Sequence, residues 1–263
     1  MTFFRNLLRY LSITLSILFL ATAFFSLWLH DKYVVPIMLY HNIQNTENPP
    51  ANTVSPQNFQ KQMAFLKNHG YNVLSFEEFI AGIKSGRDFP HNSVVITFDD
   101  APVDNYDYAF PIMKQFPFPW IIFLISDEVN KAGYLTWEQI HEMQREGVSF
   151  GSHSRRHPYL PELSRERQID EIVGSKRILE EHLKCRMDYF AFPNGGFSED
   201  IKTIVKSAGY KAACTTNRGY NRFNRDVYEI KRIRFSDDDT SYFVMWLKLS
   251  GYNSFFRRIR NPN

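Results

Sequence analysis

Cysteine is scarce in this sequence, and so is charge concentrated in one sign. Cys185 and Cys214 are the whole supply, which excludes a small disulfide-stapled scaffold. Their spacing matches no zinc knuckle, so they read as two small buried side chains, or as one disulfide if the domain is exported to an oxidising compartment. The formal net charge is +3 over 263 residues, with basic and acidic residues mixed along the chain. The one basic cluster is Arg257, Arg258 and Arg260 in the tail, read as solvated charge. Nucleic acid is thereby excluded as the main partner, because phosphate binding needs concentrated positive charge. Internal repeats and low-complexity segments are also missing, and nothing marks a second globular domain.

One long apolar run is present. Residues 10–29 are almost unbroken apolar sequence, close to the roughly 20 residues that a membrane-spanning helix needs. Arg5 and Arg9 precede the run, whereas His30, Asp31 and Lys32 after it are near neutral. The positive-inside rule then predicts residues 1–9 in the cytoplasm and everything after Leu29 outside it, periplasmic or extracellular. A cleaved signal peptide is the rival reading, since Ala21-Thr22-Ala23 offers a small-residue cleavage site. Apolar sequence continues through Phe24, Phe25, Leu27, Trp28 and Leu29, which favours a retained single-pass anchor.

Beyond the anchor, short apolar runs alternate with amphipathic stretches. The runs at 34–40, 93–98, 120–126, 148–151, 189–192, 211–215 and 230–235 are predicted strands, each short and mostly apolar, as buried parallel strands require. Helices are predicted from Pro56 to His69, capped by Ser55 and stopped by Gly70, and after the Thr136/Gln139 capping box. Another runs from Ser164 to Leu183, with Ile169, Ile172, Val173, Leu179 and Leu183 on one face. Ser198 caps a further helix that ends before Gly209, and residues 242–247 read as a final helix. Residues 44–53 form a polar, exposed loop. Seven strands alternating with helices make a parallel α/β fold. His41, Asp99 with Asp100, His153 and Asn194 each follow a different predicted strand. An open sheet gathers ligands at one switch point, whereas a barrel collects strand ends in a ring; the pattern favours the barrel.

Two segments carry chemistry. Val94-Val95-Ile96-Thr97-Phe98-Asp99-Asp100 is a buried strand ending in adjacent carboxylates, which is costly without compensating charge. Ala101-Pro102 supplies a turn there, letting both carboxylates face one cavity; the bland alternative is that one of them caps a loop. Gly151-Ser152-His153-Ser154-Arg155-Arg156-His157-Pro158 also follows a predicted strand. Its two imidazoles can converge on one divalent ion, although alone they read more readily as two surface histidines among arginines. Taken together, one carboxylate and two imidazoles make a three-ligand site with open positions, as hydrolytic metal centres need.

At this point the sequence resembles the polysaccharide deacetylase family (carbohydrate esterase family 4), named for the nodulation chitooligosaccharide deacetylase. Thr97-Phe98-Asp99-Asp100 is similar to its first motif and His153-Ser154-Arg155-Arg156-His157 to its second. The resemblance runs from Val35-Pro36-Ile37-Met38-Leu39-Tyr40-His41 to Arg232-Ile233-Arg234. With Asp104-Asn105-Tyr106 and Phe190-Ala191-Phe192-Pro193-Asn194-Gly195, it looks most like the branch acting on poly-N-acetylglucosamine. It implies a distorted (β/α)7 barrel over residues 34–250, between the 10–29 anchor and a basic, aromatic tail at 251–263. It also implies a divalent cation, zinc foremost, held by Asp100, His153 and His157, with Asp99 as general base. The family's third motif points to Pro193 and Asn194 as the oxyanion side. The substrate implied is an N-acetylated polysaccharide, with polysaccharide synthesis or export proteins as possible partners.

Departures from the family pattern are equally visible. Ala101 stands where the first motif usually has glycine, a strained choice if the turn needs φ > 0. Tyr189-Phe190-Ala191 occupies the place where the third motif often has an arginine paired with the catalytic carboxylate. The fourth motif's aspartate-tryptophan pattern is absent, as is the late histidine that protonates the leaving amine. His41, following the first strand, is the candidate to substitute as general acid or to position substrate; its bland reading is a histidine bonded to nearby backbone. Phe110, Phe116, Phe118 and Trp120 are expected in the core and its rim. Tyr134, Trp137 and Tyr159 are candidates to stack on sugar rings, and 242–247 with Phe255 and Phe256 to touch a membrane surface. The alternative functions are a peptidoglycan, chitin or other exopolysaccharide deacetylase, or a weakly active glycan-binding part of an export complex.

Overall fold

The structure is a computed structural model and is described over residues 2–30, 32–46, 50–216 and 224–252. Helix α1 (Thr2–His30) leads the chain. Its stretch Arg9–Trp28 is long and apolar enough to cross a membrane, and none of it is covered by the rest of the chain.

A parallel barrel follows. Its strands are β1 (Ile37–Tyr40), β4 (Asn72–Leu74), β5 (Ser93–Phe98), β6 (Ile121–Leu124), β7 (Ser149–Ser152), β8 (Tyr189–Ala191), β9 (Ala212–Thr215), β10 (Ile230–Lys231) and β11 (Ile233–Arg234). A separate pair, β2 (Asn42–Ile43) and β3 (Thr53–Val54), lies over the loop after β1. The strand order is β10-β9-β8-β7-β6-β5-β1-β11, with β4 beside the first half of β5. Every predicted strand run thus holds a strand. The last run divides in two: β10 pairs with β9 (Ile230 with Cys214), and one residue later β11 pairs with β1 (Ile233 with Met38). The two ends of the sheet are therefore consecutive in the chain, and Arg232 sits alone at the seam that nearly closes the barrel.

The helices are α2 (Pro56–Asn68), α3 (Phe76–Ser85), α4 (Phe110–Met113), α5 (Trp137–Arg145), α6 (Arg165–Leu183), α7 (Glu199–Ser207) and α8 (Tyr242–Leu249). Ser55, Thr136 with Gln139, and Ser198 cap α2, α5 and α7, each accepting the backbone N–H three residues on and so satisfying an orphan donor. The apolar stripe of α6 is narrower than its sequence indicates. Ile172, Leu179 and Leu183 are buried, whereas Ile169 and Val173 are each 41% exposed. The sequence reading did not include β4, α3, which opens on a Ser75/Glu78 capping box, or the short β2, β3 and α4; β3 begins at Thr53, which is buried although residues 44–53 read as an exposed loop.

Alternation along the strands separates two cores. Met38, Tyr40, Ile96, Phe98, Ile122 and Phe190 face the helices. Ile37, Val95, Ile121, Phe123, Tyr189 and Cys214 fill the barrel interior, where Phe76, Phe79 and Ile80 of α3 join them. Phe76 packs edge-on to Phe123 and Tyr189, at centroid distances of 5.8 and 4.9 Å. Helix α3 thereby closes the end of the barrel where the strands begin, and polar groups converge on the other end. Phe110 and Trp120 are buried, with Phe116 and Phe118 packed at the core's margin. Both cysteines are free; Cys214 is buried but Cys185 is exposed, so neither the buried pair nor the disulfide is found.

Candidate active site

The turn after β5 brings the two carboxylates to one place by adopting backbone that L-residues avoid. Asp100 has φ 69° and Ala101 φ 58°, so alanine does occupy the left-handed position usual for glycine, at a cost of roughly 1–2 kcal/mol. Asp100 is not displaced by this. The carbonyl of Ala101 accepts from the Leu135 N–H at 3.1 Å, and the Ala101 side chain is buried.

The carboxylates then diverge in environment. Asp99 is 1% exposed and lies against Arg232, itself 2% exposed. Nη1 and Nη2 of Arg232 donate to its two oxygens at 2.6 and 2.5 Å, a bidentate pair. Arg232 also reaches Thr97 Oγ1 at 3.3 Å and stands over the Phe123 ring. Burial alone would raise the Asp99 pKa, but the Arg232 guanidinium, with His153 and His41, holds it down at about 2. Asp100 has no such partner. Burial and the charge of Asp99 push its pKa up to about 6, and its Oδ1 is buried without a hydrogen bond.

That orphaned oxygen faces both imidazoles of the second segment. Nε2 of His153 and Nε2 of His157 each lie 3.5 Å from Asp100 Oδ1, and ligand atoms of all three residues lie within 4.8 Å of one another. Nδ1 of His153 donates to the Ala191 carbonyl at 2.8 Å, which leaves Nε2 as the nitrogen with a lone pair. Burial holds His153 down at about 3 and lowers His157 as well, so both rings are neutral near pH 7. Two neutral imidazoles and an unpartnered carboxylate oxygen suit a divalent cation of the zinc type, with room left for other ligands.

These groups line a cavity of about 360 Å³ together with His41, Ala51, Asn52, Phe192, Asn194, Thr216 and Arg234. Asn194 sits in the turn after β8 with φ 53°, and Pro193 before it is buried. His41 borders the cavity with a buried, unpartnered Nδ1; burial lowers its pKa despite the nearby charges of Asp99 and Asp100. The Asp104-Asn105 segment supports this edge. Asn105 Nδ2 donates to the His41 carbonyl at 2.7 Å, and Asp104 accepts from the Ile43 N–H and from Asn42.

All seven residues singled out from sequence reach this end of the barrel, and Asp99, Asp100, His41, His153, His157 and Asn194 line the cavity itself. The aromatic candidates are not among that lining. Trp137 stacks on His182 with centroids 4.0 Å apart, and Tyr159 packs on Gly196, where an added Cβ would meet the ring at 2.2 Å. The backbone of Tyr134 bridges to Pro102. Phe192 is the aromatic residue among the described lining. Sequence reasoning also missed Arg232. An arginine absent from the third motif is supplied from the seam between β10 and β11; the sequence signal was the Arg232-Ile233-Arg234 match at the end of the resemblance, which gave Arg232 no role.

Comparison with known proteins agrees with this geometry. Residues 86–213 match the family profile described as polysaccharide deacetylase. A Bacillus subtilis protein, YxkH, whose name places it among polysaccharide deacetylases, is 28% identical over 202 residues, 77% of this chain and 71% of the relative. A poly-beta-1,6-N-acetyl-D-glucosamine N-deacetylase of Staphylococcus aureus is 27% identical over 206 residues, 73% of this chain and 71% of the relative. Among solved structures, the Streptococcus pyogenes deacetylase PplD in complex with acetate superposes with a TM-score of 0.75 at 29% identity, covering 82% of this chain and 97% of that one.

Proposed function

We propose that this chain, whose residues 86–213 match the polysaccharide deacetylase profile, removes N-acetyl groups from an exported amino-sugar polymer, poly-N-acetylglucosamine foremost. The observation that carries this reading is the convergence of Asp100, His153 and His157 beside an ionised, pinned Asp99. The Staphylococcus aureus relative supports the choice of polymer. A divalent cation held by Asp100, His153 and His157, zinc foremost, supplies Lewis-acid polarisation of the acetamide carbonyl and of water.

The chain's own residues handle position and protons. Asp99 takes the proton of the attacking water. Its low pKa keeps it ionised and ready, while limiting how long the proton stays. Arg232 fixes both oxygens of Asp99, so the basic lone pair has one direction. The leaving nitrogen needs that proton, and His41, on the same cavity wall, is the group placed to pass it on. The Asn194 backbone N–H, in the turn that Pro193 opens on the cavity lining, is the donor offered to the developing oxyanion. Residues 10–29 hold the protein in the membrane, with residues 1–9 cytoplasmic and the barrel domain at 34–250 acting outside the cytoplasm.

Acetate release from a panel of oligosaccharides of poly-N-acetylglucosamine, chitin and peptidoglycan tests the reading. Wild type should release acetate, fastest from the first, and Asp99→Asn should lower the rate by about 10²–10⁴-fold. Chelator should abolish release and added divalent cation restore it. Equal release by wild type, Asp99→Asn and chelated protein would overturn the mechanism.

A further inference from the structure

We infer that Glu171 is a positioning residue that shapes the loop presenting His153 and His157, and so sets how tightly the chain holds a divalent cation. This rests on the cation site proposed above and adds a residue from another element, helix α6. The loop needs outside support. Ser154 has φ 67° and His157 φ 60°, so two non-glycine residues adopt left-handed backbone within four positions. Such a loop persists only where its surroundings over-determine it.

On one side the support comes from backbone. The Ser126 and Asp127 N–H groups, just past β6, donate to the carbonyls of Ser154 and Arg155 at 3.1 and 2.9 Å. On the other side it comes from one carboxylate. Oε2 of Glu171 accepts from the backbone N–H of Arg155 and of Arg156, each at 2.9 Å, while Oε1 accepts from Arg156 Nε at 2.8 Å. Successive N–H groups converging on one oxygen form an anion-binding nest, and here the anion belongs to the protein. Glu171 is 2% exposed, so no solvent competes for those donors.

Neighbouring groups hold side chains rather than backbone. Asp170 takes Arg155 Nη1 at 2.7 Å and Arg156 Nη2 at 2.5 Å, and Asp127 takes Arg155 Nε. Gly174 leaves space for the Arg155 stem, since a Cβ there would lie 2.7 Å from Arg155 Cδ. Asp170 therefore serves as an internal control: it shares the same two arginines but touches neither loop N–H.

The measurement is calorimetric titration of Zn²⁺ and Co²⁺ into the full chain in detergent, stripped of metal, beside acetate release as a function of cation concentration. Glu171→Gln keeps the volume but loses the charge, and its amide N–H₂ meets donors. It should weaken cation binding by about 10–100-fold, as loss of a support behind metal ligands generally does, while kcat at saturating cation returns to near the wild-type value. Asp170→Asn should leave cation affinity unchanged within error. Glu171→Asp, which retains charge but falls short of the loop, gives the same reading should Glu171→Gln fail to fold. A Glu171 variant that binds cation as tightly as wild type overturns the inference, whatever happens to its unfolding temperature. Wild type that binds no divalent cation would instead sink the proposed function.

Discussion

Arg232 shows how much of a catalytic centre can reside in a residue that faces no solvent. Removing it leaves Asp99 charged, buried and unpaired, a situation that costs about 3–5 kcal/mol in comparable sites. Arg232→Gln should lower the unfolding temperature sharply and, in whatever folds, reduce acetate release, because Asp99 loses both its charge partner and its fixed direction. Thermal unfolding with single-substrate kinetics decides it; a variant with wild-type stability and rate would show that the pair is incidental. The cavity residues next to strand ends, Asp99, Asp100, His153 and His157, were legible because their chemistry lies in two contiguous segments. Arg232 was not, since its partner lies 133 residues away in sequence and only barrel closure joins them. Ala101 taught a related lesson. The strain it implies is real, with φ 58°, yet surrounding packing and the Leu135 hydrogen bond absorb it without moving Asp100.

At the scale of elements, parallel strands were legible because each is a short apolar run between capped helices, and the caps at Ser55, Thr136 and Ser198 appear as read. The division of the last run was hidden, since a partner switch at one residue leaves no trace in composition. Strand β4 is three residues long and only Leu74 in it is buried, so Val73-Leu74 is too short an apolar run to read as a strand. The aromatic candidates lie off the cavity lining, and composition could not decide their place, because an amphipathic ring suits a sugar, a histidine or a glycine face equally well. Gly151 in β7 gives this scale a test. A Cβ there would lie 2.6 Å from the Phe123 ring and 3.1 Å from the Tyr189 carbonyl oxygen, and neither the barrel interior nor backbone yields freely. Gly151→Ala should destabilise by about 1–3 kcal/mol, as overpacking does, measured by denaturant unfolding. An unchanged midpoint would mean that the barrel wall is softer than its packing indicates.

The whole molecule joins an uncovered apolar helix to a barrel whose cavity opens at the ends of the strands. Helix α8 adds an apolar outer face, with Tyr242, Phe243, Trp246 and Leu247 exposed while Met245 and Leu249 pack inward; Phe255 and Phe256 lie outside the described residues. On which side of the cytoplasmic membrane the barrel resides can be tested with its own thiols, whether the apolar helix is an anchor or a signal. Cys185 is exposed on the barrel surface and Cys214 is buried. Burial pushes the Cys214 thiol up to about 12, and since only the thiolate attacks, it stays silent near neutral pH. A membrane-impermeant maleimide should therefore label one thiol per chain in cells whose outer envelope has been opened but whose cytoplasmic membrane is intact, and Cys185→Ser should abolish that labelling. Denaturation of lysed cells should expose the second thiol in wild type. Labelling that appears only after the cytoplasmic membrane is broken would place the barrel inside and remove the exported polymer as its substrate. The positive charges of Arg5 and Arg9 ahead of the apolar run argue for the opposite result, and Cys185 reports it without any added tag.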